Sequence, residues 1–270
     1  MSDDYVPKAN ETNRLDRWTL QEKVAIVTGS GRGIGQGIAE EMAKRGAHVI
    51  VAEREQGRGS DVVSHINNTG GKATEIKADV TDKEDIRNLV DSVLEMHGRI
   101  DILVNNAGMS ILGDFIDGKE RHWDAMIGVN LKGLILLTRA VLAHMVEVER
   151  GKIINIASCV GLHAIAQQAV YSATKGGVVA FTRSLAAEVA RYHVNVNAIC
   201  PGLTMTPGIE TYSEADKGTA AYFKKIARTI PWGRTGRPQD MGSLAAFLAS
   251  DESEYVTGQC IIIDGGLTGI

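Results

Sequence analysis

The chain has 270 residues, of which 44% are hydrophobic, and a formal net charge of -4. That length suits one α/β domain with a large buried core, and the mild acidity excludes a surface built for nucleic acid or an anionic membrane. Cys159, Cys200 and Cys260 lie far apart and form no C-x-x-C pair, which reads as reduced thiols in a cytoplasmic protein rather than a disulfide frame. No charged-then-apolar leader opens the chain, and no run reaches the ~18 apolar residues of a membrane span.

Met1 to about Thr19 is polar and aperiodic, an arm docked through Trp18 that precedes a single domain over 20–270. Val24–Thr28 is an apolar, β-branched run that predicts a buried strand. Gly29, Gly31, Gly33 and Gly35 follow at alternate positions, and a helical pattern then runs to Arg45 and stops at Gly46. Strand, bare turn and helix N-terminus together make an anion site suited to a pyrophosphate. The Gly29-x-x-x-Gly33-x-Gly35 spacing fits neither the G-x-G-x-x-G fingerprint nor the P-loop, and a tight turn without ligand would look the same.

His48–Ala52 is the second strand and stops at Glu53. A polar helix follows near Gly59–Asn68, then a third strand at Ala73–Ala78. Thr81 to Glu84 has the spacing of a capping box, opening a helix to about His97. Asp101–Asn105 is the fourth strand, and one long helix is expected over Glu120–Glu149. Gly151–Ala157, a helix over Ala169–Tyr192 and Val194–Cys200 come next. Met205–Trp232 reads as irregular or weakly helical. A helix with Pro238 in its first turn runs through Ala249, and Cys260–Ile263 is the last strand. Apolar strands alternating with helices give a single-domain, doubly wound parallel sheet of about seven strands, with helices on both faces. Ligands in such sheets sit beyond the carboxyl ends of the strands. Attention therefore falls on the glycine loop, Glu53, Asp79-Val80, Asn105–Gly108, Ser158 and Pro201-Gly202.

Tyr171 and Lys175 stand one helical turn apart on one face. A tyrosine with a pKa near ~10 is a poor acid–base group at neutral pH, and a neighbouring ammonium moves it towards the working range. Ser158, just after the fifth strand, reaches the same cleft, where two hydroxyls can hold a carbonyl or alcohol oxygen. A lone Y-x-x-x-K is an ordinary solvated pair; its co-occurrence with Ser158, Asn130, Asn105–Gly108 and the glycine loop is not.

These motifs, in this order, resemble the short-chain dehydrogenases/reductases in their single-domain branch: Thr28 to Gly35, Asp79, Asn105-Asn-Ala-Gly108, Asn130, Ser158, Tyr171-x-x-x-Lys175, and Pro201-Gly202 with Thr206. The resemblance covers about Leu20 to the C-terminus. It implies a Rossmann-type fold, a nicotinamide cofactor and reversible hydride transfer between a secondary alcohol and a ketone. It implies a tetrad in which Tyr171 exchanges the proton on the substrate oxygen and Ser158 positions that oxygen. Lys175 binds the nicotinamide ribose and lowers the Tyr171 pKa, and Asn130 fixes a proton-relaying water. Gly29, Ser30, Arg32, Gly33, Ile34 and Gly35 would bind the cofactor. Asp79 and Val80 would contact the adenine, with Asn106, Ala107 and Gly108 flanking that side. Pro201, Gly202, Thr204 and Thr206 would hold the carboxamide. Glu53 can accept from the ribose hydroxyls of NAD and repel the 2′-phosphate of NADP, whereas Arg32 and Arg54 pull towards NADP. The expectation is NAD, with NADP the alternative.

The chain is similar both to 3-oxoacyl carrier-protein reductases, which would use NADPH, and to sugar, polyol or cyclic-alcohol dehydrogenases. A non-catalytic dinucleotide-binding regulator is the contrasting reading, against which the intact tetrad speaks. A nucleotide-sugar epimerase also uses Y-x-x-x-K but resembles longer chains. The pocket-shaping segments Met109–Asp117, Val160–Gln168 and Leu203–Trp232 suggest a moderately apolar small-molecule alcohol or ketone. Arg228 and Arg234 are candidates to meet an anionic group, His163 to touch substrate, and Cys159 reads as packing. No metal-ligand spacing occurs. The Ala-rich helix, the long helix before it and the C-terminal Gly265-Gly266 tail resemble the family's subunit contacts and imply a homotetramer.

Overall fold

The computed structural model describes residues 18–215 and 217–269. Seven strands form one parallel sheet: β1 (Val24–Thr28), β2 (His48–Glu53), β3 (Lys72–Lys77), β4 (Ile102–Asn105), β5 (Gly151–Ile156), β6 (Val194–Pro201) and β7 (Cys260–Ile263), in the order β3-β2-β1-β4-β5-β6-β7. The order reverses between β1 and β4, which pair from Ala25↔Ile102 to Val27↔Val104. This reversal opens the crevice at the carboxyl edge where doubly wound sheets bind ligands.

Successive strand side chains point to opposite faces, and each face carries its own core. Ala25, Val27, Val49 and Val51 pack under α1 (Gly33–Lys44), α2 (Ser60–Asn68) and α9 (Pro238–Ala249). Val24, Ile26, Ile50 and Leu103 pack under α3 (Lys83–His97), α5 (Leu134–Glu147) and α6 (Ala169–Val189). Every residue of β1 and β4 is buried, which explains their apolar sequences. A polar ladder crosses the second face. Asn105 Nδ2 donates to Thr138 Oγ1 and Asn155 Oδ1, and Asn155 Nδ2 donates to Thr182 Oγ1, each at 2.9 Å. The polar groups satisfy one another inside the core and fix the Asn105↔Asn155 register.

Several expectations need correction. The long helix is three pieces: α4 (Glu120–Ile127), a π-turn over Gly128–Gly133, and α5. Met205–Trp232 holds two helices, α7 (Pro207–Ala215) and α8 (Lys217–Thr229). The cap of α3 is Asp82, which accepts from the N–H groups of Glu84 and Asp85; the Thr81 hydroxyl instead donates to Asp79 Oδ1. Glu120–Glu147 also contains an 18-residue window of mean hydropathy 1.6, long and apolar enough by composition to cross a membrane. Lys132 and Arg139 interrupt the run and hid it from a count of consecutive apolar residues. In this fold Leu134, Leu137, Val141 and Met145 of that stretch are buried. Of the N-terminal arm, residues 1–17 lie outside the described residues, while Trp18 packs on Phe247 with ring centroids 5.4 Å apart.

At the opposite edge of the sheet, His48 lies tilted on His97 with ring centroids 4.4 Å apart. Its Nε2 is 2.9 Å from Thr74 Oγ1 and it pairs with Lys72 across the sheet. Burial, then the His97 and Lys72 charges, hold the His48 imidazole below its ordinary 6.5. As pH falls below about 6.5 the unfolded chain takes up a proton that the folded chain resists, so this site loses stability on acidification. Melting temperature should drop between pH 7.5 and 5, and the slope should flatten in His48→Asn. An unchanged slope in the variant would clear His48 of the effect.

Candidate active site

The glycine turn follows from steric limits at two positions. Gly29 sits at φ +61, and a Cβ there would lie 3.0 Å from the Ala107 Cα. A Cβ at Gly35 would collide with Gly29 O and Asn106 Nδ2. The close approach is held by Asn106, whose Nδ2 donates to Thr28 O at 2.8 Å and Gly29 O at 2.9 Å. Thr28 Oγ1 in turn accepts from the N–H groups of Asn106 and Ala107, both at 3.0 Å. Asn106 thus fastens the loop after β4 to the loop after β1. The helix that follows has no side-chain cap and no acidic residue in its first turn. Its free N–H groups and positive dipole end face the turn, a fit for a pyrophosphate.

A cleft of about 590 Å³ runs from this turn across the carboxyl edge of the sheet. Gly29, Arg32, Gly33, Ile34, Glu53, Arg54, Asp79, Val80, Asn106, Ala107 and Gly108 line one end. Ser158, Tyr171, Lys175, Pro201, Gly202, Thr204 and Thr206 line the rest of it, with Thr206 against Gly33 and Lys175 near Gly108. Ser30, Gly35 and Asn130 do not line it. The Ser30 hydroxyl is buried on Val27 O at 2.6 Å, and Gly35 acts through the closeness just described.

Asn130 is 1% exposed and sits in the π-turn, a local widening common at functional sites. Its Oδ1 accepts from Met109 N–H and its Nδ2 donates to Met109 O, both at 2.8 Å. The same Nδ2 reaches Thr174 Oγ1 at 3.2 Å, and Thr174 donates to Tyr171 O at 2.7 Å. One amide therefore ties the loop after β4 to the turn of α6 that carries Tyr171 and Lys175.

Lys175 Nζ donates to Ile156 O at 2.7 Å and lies 5.8 Å from the centre of the Tyr171 ring. Burial pushes the Lys175 ammonium down to about 8. Burial likewise pushes the Tyr171 phenol up to about 12, with the Ser158 side chain pulling it back down by hydrogen bonding. An ammonium so close favours the phenolate, so the pair can exchange a proton with an oxygen held beside Ser158.

At the opposite end Glu53, 7% exposed, accepts from Gly31 N–H through Oε1 at 2.7 Å. Arg54 Nη2 and Arg58 Nη1 both contact Glu55 Oε1, at 3.2 and 3.1 Å. Arg58 lines the cleft and was missed in the sequence; its place is set by the path of Gly57-Arg58-Gly59, whose Arg58 carbonyl lies over Gly31. Many of the other unforeseen lining residues come from the segments marked as pocket-shaping, among them Met109, Leu112, Ile165, Gln168, Phe223 and Ile226, whereas Ala52, Ala78, Val129, Ile156, Ala157 and Leu267 do not. His163 and Arg228 are exposed and outside the cleft, and Arg234 is paired with Asp240 at 2.6 Å. Cys159 is 3% exposed and does line the cleft, its thiol pushed up by burial.

A family model described as enoyl-(acyl carrier protein) reductase matches residues 29–268. A 3-oxoacyl-[acyl-carrier-protein] reductase, FabG, of Thermotoga maritima is 40% identical over 248 residues, covering 92% of this chain and 98% of that protein. The BbsD subunit of (2S)-[(R)-hydroxy(phenyl)methyl]succinyl-CoA dehydrogenase from Thauera aromatica is 38% identical over 247 residues, with 92% and 97% covered. Among solved structures, a chain from Beutenbergia cavernae provisionally assigned as an NAD(P)-dependent gluconate 5-dehydrogenase, with NADP bound at low occupancy, superposes with a TM-score of 0.86. It is 35% identical and covers 94% of this chain and 100% of that chain.

Proposed function

The chain belongs to the short-chain dehydrogenase/reductase family and is an NAD(P)-dependent oxidoreductase, and we propose that it oxidises or forms a neutral, largely apolar secondary alcohol with Tyr171 as its acid–base group. The observation that carries this is the meeting of Ser158, Tyr171 and Lys175 on one cleft with the glycine turn. A nicotinamide held along this cleft would supply or accept the hydride. Ser158 orients the substrate oxygen, Tyr171 gives or takes its proton, and Lys175 lowers the cost of the phenolate. Asn130 holds the backbone on which both sit. Leu112, Ile165, Phe223 and Ile226 give the cleft apolar surface, and among the described residues that line it the charged ones are Arg32, Glu53, Arg54, Arg58, Asp79 and Lys175. A panel of secondary alcohols and ketones, assayed with NAD(H) and NADP(H), tests the reading; cofactor binding without any turnover would favour the regulator alternative.

NAD is the proposed cofactor. Glu53 spends one oxygen on Gly31 and keeps the other for a ribose hydroxyl, where a 2′-phosphate would meet a buried carboxylate. Glu55 engages Arg54 and Arg58, two of the three arginines that line the cleft, the third being Arg32. The second reading, a 3-oxoacyl carrier-protein reductase using NADPH, draws on the FabG relative and on Arg58. Wild type should show higher kcat/KM with NAD. Glu53→Ala should lower it at least fivefold, and Glu55→Ala should raise kcat/KM for NADP several-fold. A clear wild-type preference for NADP would reverse the assignment.

A homotetramer is proposed from exposed apolar surface on the long-helix region and α6. Ile127, Ile135 and Val148 are exposed, as are Ala173, Ala180 and Ala187, the small residues that let helices approach. Light scattering at micromolar protein should give four subunits; a monomer would refute it.

A further inference from the structure

Beside the cleft lies a second pocket of about 230 Å³, between the loop at 111–119, α4 and the start of α6. Leu112 and Gln168 line both cavities. The wall they share is stitched: Gly113 N–H donates to Gln167 O at 3.1 Å, and Gln167 Nε2 donates to Asp114 Oδ1 at 3.2 Å. Gln167 holds φ +64, a left-handed conformation uncommon for a side chain of its kind. Such strain persists where surrounding contacts fix it and gathers at ligand sites. Trp123 is stacked in parallel on Phe115, with centroids 5.0 Å apart, which covers one face of each ring. Met126 and Val170 add apolar surface.

We propose that this side pocket receives an aryl arm of the substrate, which passes Leu112 and Gln168 while its carbinol carbon stays at Tyr171. The proposal rests on the reading of the main cleft given above. The size argues for one ring, since an apolar cavity of about 150 Å³ already holds benzene. The charge argues for a neutral arm, because among the described lining residues Asp114 and Asp117 are offset by Lys119, with His122 beside them.

The test compares 2-butanone with 4-phenyl-2-butanone. Wild type should prefer the phenyl ketone at least tenfold in kcat/KM. Ala169→Phe fills the side pocket from a residue that does not line the cleft. It should cut that preference at least fivefold and leave 2-butanone within twofold. Val170→Leu, a smaller fill, serves if Ala169→Phe fails to fold by circular dichroism. Equal use of the two ketones, or a preference that survives the filled pocket, overturns the side pocket alone. Failure to turn over any member of the broad panel overturns the main-cleft reading and this inference together.

Discussion

Tyr171→Phe should lower kcat by ~10²–10⁴-fold, the usual contribution of a positioned acid–base group, while dinucleotide affinity stays within a few-fold. The substitution removes one oxygen from a side chain that keeps its ring, its helix position and its packing. Thr174 bonds the Tyr171 main-chain oxygen rather than the phenol, so the tie from Asn130 through Thr174 survives. The measurement pairs steady-state turnover with fluorescence titration of NADH. Retention of most activity would move the acid elsewhere, and Ser158, which shares the cleft wall, would be the next candidate.

Lys175→Ala should damage both quantities: turnover by at least ~10²-fold, and cofactor affinity by tenfold or more. The ammonium is 4% exposed, bonded to Ile156 O and set beside the Tyr171 ring. Without it the phenol keeps the burial that pushes it up and loses an adjacent cation, which favours the phenolate. Residual alcohol oxidation should therefore climb with pH to more alkaline values than in wild type, since the base is the phenolate. Its midpoint should move upward, and a midpoint left in place would separate Lys175 from the tuning of Tyr171. Loss of turnover with unchanged cofactor affinity would confine Lys175 to the proton.

The sheet was legible because its strands are buried on both faces and therefore written in nearly uninterrupted apolar residues, as in Val24 to Val27. The site was legible as far as it depends on strand ends, whose direction the sheet fixes: Glu53, Asn106 and Ser158 needed no knowledge of loops. What escaped depends on chain path. Arg58 enters the cleft because two flanking glycines bend a loop back over Gly31. The helical period of Phe223, Ile226 and Ile230 was diluted by Gly218 and the lysines around it, so α8 went unseen. Asp82 outcompeted Thr81 as a cap because its carboxylate accepts from two N–H groups at once. The π-turn leaves no mark in composition, since Gly128–Gly133 contains no proline and stays helical at both ends.

That π-turn makes the segment sensitive to length as well as to the chemistry of Asn130. It accommodates one residue more than an α-helical path would over the same rise, so the faces of α4 and α5 are out of phase with each other. Removing any single residue between 128 and 133 would let the two helices fuse, at a rotation of about 100° per residue. Either Asn130 would swing off the Met109 backbone or Leu137 and Val141 would swing out of the core. Substitutions at exposed positions of this stretch are local events, whereas a one-residue deletion is a choice between losing the site and losing the packing. Chains that diverge from this one are thus free to exchange the exposed Lys132 but not to change the count.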